Sequence, residues 1–572
     1  MQSRTKNILL TVLLVLTLGV LCAMATVPPV NRDALTHHLL VPKLYLVHGG
    51  VYEIPQILFS YYPMNLDYLY MAAMSLTNDI IPAYVHMAFG LLTALLIFRY
   101  LHRRYSATWG LIGALFFLTL PVIVRLCTTA YVDLGVIFFT FAALLALLKW
   151  RDTGAKARWL LLAAVSCGLA MGTKYNGAVD FCILTAFVPV LYAGMKRVQF
   201  LEKYPTLKPR HRISDGVRAL AFGVLFAVIA LAVFSPWAVK NYVWTDNPIY
   251  PLAQGVFNPE VSRGKDLYGN EGEGYGMSTL KRREALYGED LGEILLVPLR
   301  VFFDGQDNNP QYYDGRLSPA LLIFSIIGLL FIRKRDLRYQ VHDIAFISYA
   351  VIMVLLIYFL IDMRIRYIGT IIAPMTILTV VGLRSLMLFI DRRELASGRL
   401  MKGLVMAIMT VAFLGNYAYM AEKFREVEPL GYLTGKVSRD EYIAGRLREY
   451  PALQYLNANI QKGPGVFAVF MGNRMYYSDH FLTMDYQVFF RYVDEARSAA
   501  DLAGRFEQDG YKYFLFNAAL MTEFAPTFLE SEALMRLDAF TRDYCEPVYS
   551  ENEYLLFELK PLSAYLNEVI SE

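Results

Sequence analysis

The sequence predicts a polytopic α-helical membrane protein that ends in an extracytoplasmic α/β domain. Three observations carry that expectation. Of 572 residues, 56% are hydrophobic and only 18% charged, against about 45–50% and about 25% in soluble globular chains. The apolar residues gather in runs of membrane-spanning length. The basic residues between those runs fall on alternate loops, all on one side. The first observation alone excludes a disordered chain, a fibrous protein and an ordinary soluble enzyme. A formal net charge of +4 leaves no basic footprint for nucleic acid. The five cysteines, Cys22, Cys127, Cys167, Cys182 and Cys545, have neither disulfide-framework nor zinc-site spacing.

Crossing a hydrocarbon core of about 30 Å takes roughly 20 apolar residues in a helix. Such runs lie near residues 7–27, 79–98, 107–125, 130–148, 159–175, 177–195, 219–237, 317–332, 343–361, 368–390 and 402–420, which makes about eleven spans. Arg4 and Lys6 precede the first run as they would in a signal peptide. That run is long for one, and no small-residue cleavage site precedes Pro28, so it is read as a span, with a signal anchor as the alternative. Basic residues follow every even-numbered span: Arg99, Arg103 and Arg104; Lys149, Arg151, Lys156 and Arg158; Lys196, Arg197, Lys203, Lys208, Arg210 and Arg212; Arg333, Lys334 and Arg335; Arg392, Arg393 and Arg399. The positive-inside rule makes that side, shared with Arg4 and Lys6, cytoplasmic, and places the C-terminus outside.

The polar bulk of the chain then faces outward. A membrane domain over residues 1–421 carries outer loops at 28–78 and 240–316, and residues 422–572 form the extracytoplasmic domain. In that tail Val466–Met471 and Tyr511–Phe516 read as buried strands. Val548–Leu559 reads as a hairpin turning at Glu551-Asn552-Glu553, and Arg439–Asn457 as one helix.

The first outer loop opens with Pro28-Pro29. Asn31 is a good N-cap for a short helix from Arg32 that Pro42 breaks or kinks, with Gly49-Gly50 closing the next segment. Asp33 falls in the first turn, with His37 four residues on along the same face. Two readings stand for Asp33. It stabilises its own helix start, or it takes a proton from an acceptor hydroxyl. His37 and His38 are metal ligands, partners of that base, or plain polar packing. Tyr61 lies further along, in an aromatic-rich stretch running to Asp67.

Ionisable residues at span ends mark sites or pathways. Asp133 ends the outer side of span four and Lys174 that of span five. Arg364 and Arg366 share a short outer turn with Tyr367. Mutual pairing, Lys174 with Asp133 for example, is the plainer reading of the first two. Arginines in an outer turn run against the positive-inside bias, and a guanidinium grips phosphate in a bidentate fork. After span seven, Pro236-Trp237-Ala238-Val239-Lys240-Asn241 sets a cation and an amide among interfacial aromatics. That composition suits a sugar-phosphate head group or an ordinary aromatic belt.

Taken in order, several stretches resemble the GT-C glycosyltransferases that use polyprenyl-phosphate sugars, in the branch of the protein mannosyltransferases and the aminoarabinose and Rgt-type transferases. They are Asp33-Ala34-Leu35-Thr36-His37-His38-Leu39, Tyr61-Tyr62-Pro63-Met64-Asn65-Leu66-Asp67, Tyr131-Val132-Asp133-Leu134, Gly172-Thr173-Lys174-Tyr175, Pro236 to Asn241, Asn247-Pro248-Ile249-Tyr250-Pro251 and Arg364-Ile365-Arg366-Tyr367. The resemblance implies a GT-C-like membrane domain that transfers a sugar to an envelope glycan, lipid or protein hydroxyl. It implies Asp33 as general base and Asp133 as a second acid. Ala34 stands where many members have another acid, which leaves the role of the second acid open. His37, His38, Tyr61, Lys174, Tyr175, Lys240, Asn241, Arg364, Arg366 and Tyr367 are the candidate substrate-binding residues. A divalent cation could assist the phosphate, but no ligand set is evident, and there is no P-loop or Rossmann fingerprint. The alternative is a transporter or flippase of a lipid-linked glycan. Transporters place charges near the midplane of broken helices in related halves, whereas here the polar groups gather at one face and no matching halves are visible.

Overall fold

A computed structural model describes residues 2–203, 213–259, 279–332, 336–392 and 397–560. Of the predicted cytoplasmic basic residues, Lys208, Arg210, Arg212, Arg333, Lys334, Arg335 and Arg393 lie outside the described residues, as do 260–278 of the second outer loop and the tail beyond 560. The chain forms two compact units. One comprises residues 2–27 and 58–429, the other residues 28–57 and those described from 430 onward.

The first unit is helical. Among the described residues eight helices are long and apolar enough to cross a membrane: Arg4–Ala25, Ile81–Arg104, Asp133–Asp152, Gly177–Phe200, Ile213–Thr245, Leu337–Leu360, Gly369–Arg392 and Gly398–Val427. A further pair of helices, Ala107–Thr119 and Pro121–Cys127, is long and apolar enough only when taken together, and is bent by 71° at the break. The cause is local: the ring of Pro121 bars the preceding residue from helical ψ, and Leu120 sits at ψ 133°. Two shorter apolar helices, Ala157–Met171 and Pro319–Leu330, occupy the remaining predicted runs. Pro319–Leu330 approaches Gly369–Arg392 at backbone distance. A Cβ on Gly382 would lie 1.9 Å from the carbonyl oxygen of Phe324, so only glycine permits the contact.

One expectation is corrected here. The helix from Ile213 does not end near residue 237; it continues to Thr245 with Pro236 in its interior. Pro236 leaves the carbonyl of Ala232 without its helical donor, and the Ser235 hydroxyl donates to that same oxygen at 2.8 Å. Lys240 and Asn241 are therefore helical residues and not part of a loop.

The second unit holds a five-stranded sheet: β1 Gly465–Val469, β2 Leu482–Thr483, β3 Tyr511–Asn517, β4 Cys545–Glu551 and β5 Tyr554–Leu559, in the order β2-β1-β3-β5-β4. β1 runs parallel to β2 and β3, and β5 antiparallel to β3 and β4. Phe467, Phe489, Phe506, Phe514 and Phe540 are fully buried at its core. The β4–β5 hairpin turns at Asn552 and Glu553, both left-handed (φ 50° and 69°). The predicted single helix over Arg439–Asn457 is instead two, Arg439–Ala444 and Tyr450–Asn459, the second opening on Pro451 in its first turn.

Pro28–Ile57 belongs to this unit. The chain turns helical at Arg32, with the Asn31 carbonyl accepting from the amide of Leu35 (3.1 Å) as an N-cap carbonyl does. A π-helical turn at Ala34–His38 passes into the helix Leu40–His48. Pro42 does not end the segment. It lies in the first turn of Leu40–His48, where its missing N–H would have had no partner within that helix. Gly49, at φ 82°, ends the helix. Lys43 Nζ donates to the carbonyls of Tyr476 (2.7 Å) and Ser478 (2.8 Å), and the Tyr477 hydroxyl donates to that of Pro29 (2.7 Å). Within this unit the segment is thus tied to residues 476–478 of the tail.

Candidate functional site

In the first unit three connections bring charged side chains together. Asp133 begins the helix Asp133–Asp152, where the helix dipole favours a carboxylate, and is 3% exposed. Its position is set from behind. The backbone N–H of Leu134 donates to His86 Nε2 (2.9 Å), which makes Nδ1 the protonated nitrogen facing the Thr129 carbonyl (2.8 Å). The buried Tyr70 hydroxyl donates to the carbonyl of Tyr131. Lys174, in the turn between Ala157–Met171 and Gly177–Phe200, donates from Nζ to Asp133 Oδ1 at 2.8 Å. Arg366 stands 3.9 Å from Asp133 Oδ2 and 3.7 Å from Asp314 Oδ2, beyond hydrogen-bond reach of both. Its guanidinium lies 5.0 Å from the centre of the Tyr131 ring. The array continues to Arg125, which donates to Asp314 Oδ1 (3.0 Å) and Asn308 Oδ1 (3.0 Å) and lies 3.4 Å from Asp307. The amide of Ile365 donates to the Tyr313 carbonyl (2.9 Å), which ties the arginine turn to the loop carrying Asp314.

Arg364 differs from its neighbours. Its side chain is 29% exposed, its nearest acid is Asp362 at 3.7 Å, and it makes no hydrogen bond among the described residues. Tyr367 lies beneath both Arg364 (5.8 Å) and Lys174 (5.6 Å).

A second, aromatic cluster adjoins the first through Lys174-Tyr175. Lys240 Nζ donates to the Ser60 carbonyl (2.7 Å) and sits over the rings of Trp237 (5.1 Å) and Trp244 (4.9 Å). Tyr61 packs edgewise on Tyr250 (4.6 Å) and Trp244 (5.9 Å). Asn241 Nδ2 donates to the Tyr175 hydroxyl (2.9 Å) and the Tyr250 carbonyl (3.1 Å), and that hydroxyl donates to the same carbonyl (2.8 Å). Burial, reinforced by Tyr62, pushes the Tyr175 phenol above its ordinary pKa against the opposing bond from Asn241, so it remains a donor at neutral pH.

Asp33, His37 and His38 lie in the second unit. Asp33 precedes the π-helical turn and its side chain makes no capping bond to it. The Thr36 hydroxyl meets His37 Nδ1 at 2.9 Å, and the rings of His37 and His38 are 4.0 Å apart. Among the described residues no three His, Cys, Asp or Glu side chains gather as a metal site would need.

Of the sequence candidates, Asp133, Lys174, Arg366 and Tyr367 come together, as do Tyr61, Tyr175, Lys240 and Asn241. Arg125, Asp314 and His86 escaped sequence reasoning. Arg125 carried the same signal as Lys174, an ionisable group at a span end. Asp314 sits in a loop with no periodic pattern, and nothing local marks it.

Residues 63–208 match the family model of dolichyl-phosphate-mannose-protein mannosyltransferases, a stretch that includes Asp133, Lys174 and Tyr175. No curated protein matches by sequence. By structure the chain is similar to ArnT of Cupriavidus metallidurans in its apo state, with 12% identity, 98% of each chain covered and a TM-score of 0.55. It is similar to the same protein bound to undecaprenyl phosphate, with 13% identity, 96% of this chain and 97% of that one covered and a TM-score of 0.53. A third likeness is to the Archaeoglobus fulgidus oligosaccharyltransferase tethered to an acceptor peptide, with 13% identity, 96% and 74% covered and a TM-score of 0.50. The structural matches speak for the fold: across nearly its whole length the chain is similar in fold to ArnT, and about a quarter of it matches the mannosyltransferase model.

Proposed function

We propose that the protein transfers a sugar from a polyprenyl-phosphate carrier to a hydroxyl of an envelope glycan, lipid or protein at the outer face of the inner (plasma) membrane. The observation that carries this reading is the array of Lys174, Asp133 and Arg366 at the ends of membrane helices, with Arg364 beside it and making no hydrogen bond among the described residues. A phosphoester dianion leaving a sugar needs preorganised positive charge where its own charge develops. Two guanidiniums and an ammonium supply it, and Arg364 is the one whose donors are least engaged. The family match to enzymes named for dolichyl-phosphate-mannose, and the similar fold of an ArnT that binds undecaprenyl phosphate, support the same class of donor.

In this reading the acceptor oxygen attacks the anomeric carbon from the face opposite the phosphate. The carbon–oxygen bond to the phosphate breaks, its electron pair leaves with the carrier, and the configuration inverts. Asp33 takes the acceptor proton, with His37 and His38 beside it to orient the acceptor. Tyr61, Tyr175, Lys240 and Asn241 line the sugar side. The cationic loops support an N-terminus in the cytoplasm and a second unit outside.

Purified protein in lipid, given a polyprenyl-phosphate sugar and acceptor, should release free polyprenyl phosphate. Asp33→Asn should lose about 10²-fold or more of that rate at normal expression. Unimpaired turnover would remove Asp33 from the base role. Arg364→Ala combined with Arg366→Ala should raise the donor KM far more than the acceptor KM, and an unchanged donor dependence refutes the phosphate assignment.

A further inference from the structure

Beneath the charged array lies an acid that the reaction above does not use. Asp180, fully buried in the first turn of Gly177–Phe200, meets only hydroxyl groups among the described residues. Thr140 Oγ1 donates to its Oδ2 at 3.1 Å. Its Oδ1, the Tyr349 hydroxyl and Thr370 Oγ1 form a closed triangle. Tyr349 and Thr370 are 2.7 Å apart, Thr370 is 3.1 Å from Oδ1, and Tyr349 is hydrogen-bonded to Oδ1.

Counting protons distinguishes two forms of the triangle. Each hydroxyl brings one. Were the carboxyl ionised, two hydrogens would serve three contacts, with the Tyr349 hydrogen shared between Oδ1 and Thr370 in a three-centre bond. A proton on Oδ1 closes the ring, with the carboxyl donating to Tyr349, Tyr349 to Thr370, and Thr370 back to Oδ1. Full burial, with no cation at ion-pair distance among the described residues, favours the same neutral form.

The ring's members also have a telling address. Thr140 is two helical turns, about 10 Å, along the helix that begins at Asp133. Asp180 follows Lys174 by six residues, and Thr370 follows Arg366 by four. We propose that Asp180 is a protonated carboxylic acid acting as a positioning residue, whose closed hydrogen-bond ring fixes the relative register of the segments carrying Asp133, Lys174 and Arg366. The positioning half rests on the transferase reading, since those cations are placed for a donor phosphate.

Two measurements test it. An infrared difference spectrum of the full-length protein, wild type minus Asp180→Asn at neutral pH, should show a protonated-carboxyl carbonyl band and no carboxylate band. A carboxylate band in its place overturns the proposal. In kinetics, Asp180→Asn can rebuild the ring: its amide nitrogen donates to Tyr349 and Thr370, the Tyr349 hydroxyl donates to Thr370, and its oxygen accepts from Thr140. It should keep near wild-type transfer. Asp180→Val has none of these groups, and its donor KM should rise about ten-fold or more while the acceptor KM holds. Equal loss in the two folded variants, or parallel rises of both KM values, sinks the positioning role. If wild type transfers no sugar at all, the transferase reading falls and positioning with it, while the infrared band still decides the proton.

Discussion

Lys174 and Arg366 share Asp133 unequally, one at 2.8 Å and the other at 3.9 Å. An acid at 3% exposure beside two cations is a buried ion cluster whose members depend on one another. Removing one partner of such a cluster leaves the rest desolvated and unpaired, at about 3–5 kcal/mol. Asp133→Asn should therefore lower the unfolding midpoint of the purified protein markedly, and a second change, Lys174→Met, should restore part of it. Under the proposed function transfer should not return with stability, because the double variant lacks a cation assigned to the donor phosphate. Recovery of transfer along with stability would make the pair structural only. At this scale the sequence was legible where the signal was an ionisable residue out of place. Asp133, Lys174, Arg364 and Arg366 stand out in apolar surroundings. Their partners did not: Asp314 is one acid among many in a polar loop, and Asp180 is hidden in the run read as span six, because a neutral acid among hydroxyls needs no nearby basic residue to announce it.

Helices and strands were legible wherever period or run length dominated. Each of the predicted apolar runs holds an apolar helix, and the strands around Val466 and Tyr511 lie where a short buried run predicted them. The errors fall at prolines, whose local meaning depends on what replaces the missing donor. Pro42 was read as a break or kink and sits in a first turn; Pro236 was read at a helix end and lies inside one, excused by the Ser235 hydroxyl. Pro451 opens the second of two helices where one had been expected. Close helix contact was likewise invisible, since a glycine in an apolar run reads as filler. The contact of Gly382 with the Phe324 carbonyl makes it a test of packing. Gly382→Val should force Pro319–Leu330 off Gly369–Arg392 and lower stability by about 1–3 kcal/mol or more, as overpacking does. A thermal midpoint in detergent equal to wild type would mean that the helices separate freely.

For the whole molecule the open question is which helices cross the membrane, and two of them are short. Ala157–Met171 and Pro319–Leu330, of 15 and 12 residues, reach only about 22 Å and about 18 Å, less than a hydrocarbon core of about 30 Å. Length alone would let either stop within the bilayer. The cationic loops say otherwise. Lys149 to Arg158 and the basic residues from Lys196 onward share a side only if Ala157–Met171 crosses together with Gly177–Phe200. Arg333 to Arg335 join them only if Pro319–Leu330 crosses too. If one short helix crossed and the other did not, the parity of crossings would change, and the C-terminal unit would move to the cytoplasm. Single cysteines decide it, placed in a variant whose five natural cysteines are replaced. On intact cells a membrane-impermeant maleimide should label Asp246→Cys and leave Lys156→Cys and Asp336→Cys untouched until the membrane is opened; all three positions are exposed. Labelling of Asp336→Cys from outside would mean that the twelve-residue helix does not cross, and it would overturn the proposed orientation of everything that follows it, the arginine turn included.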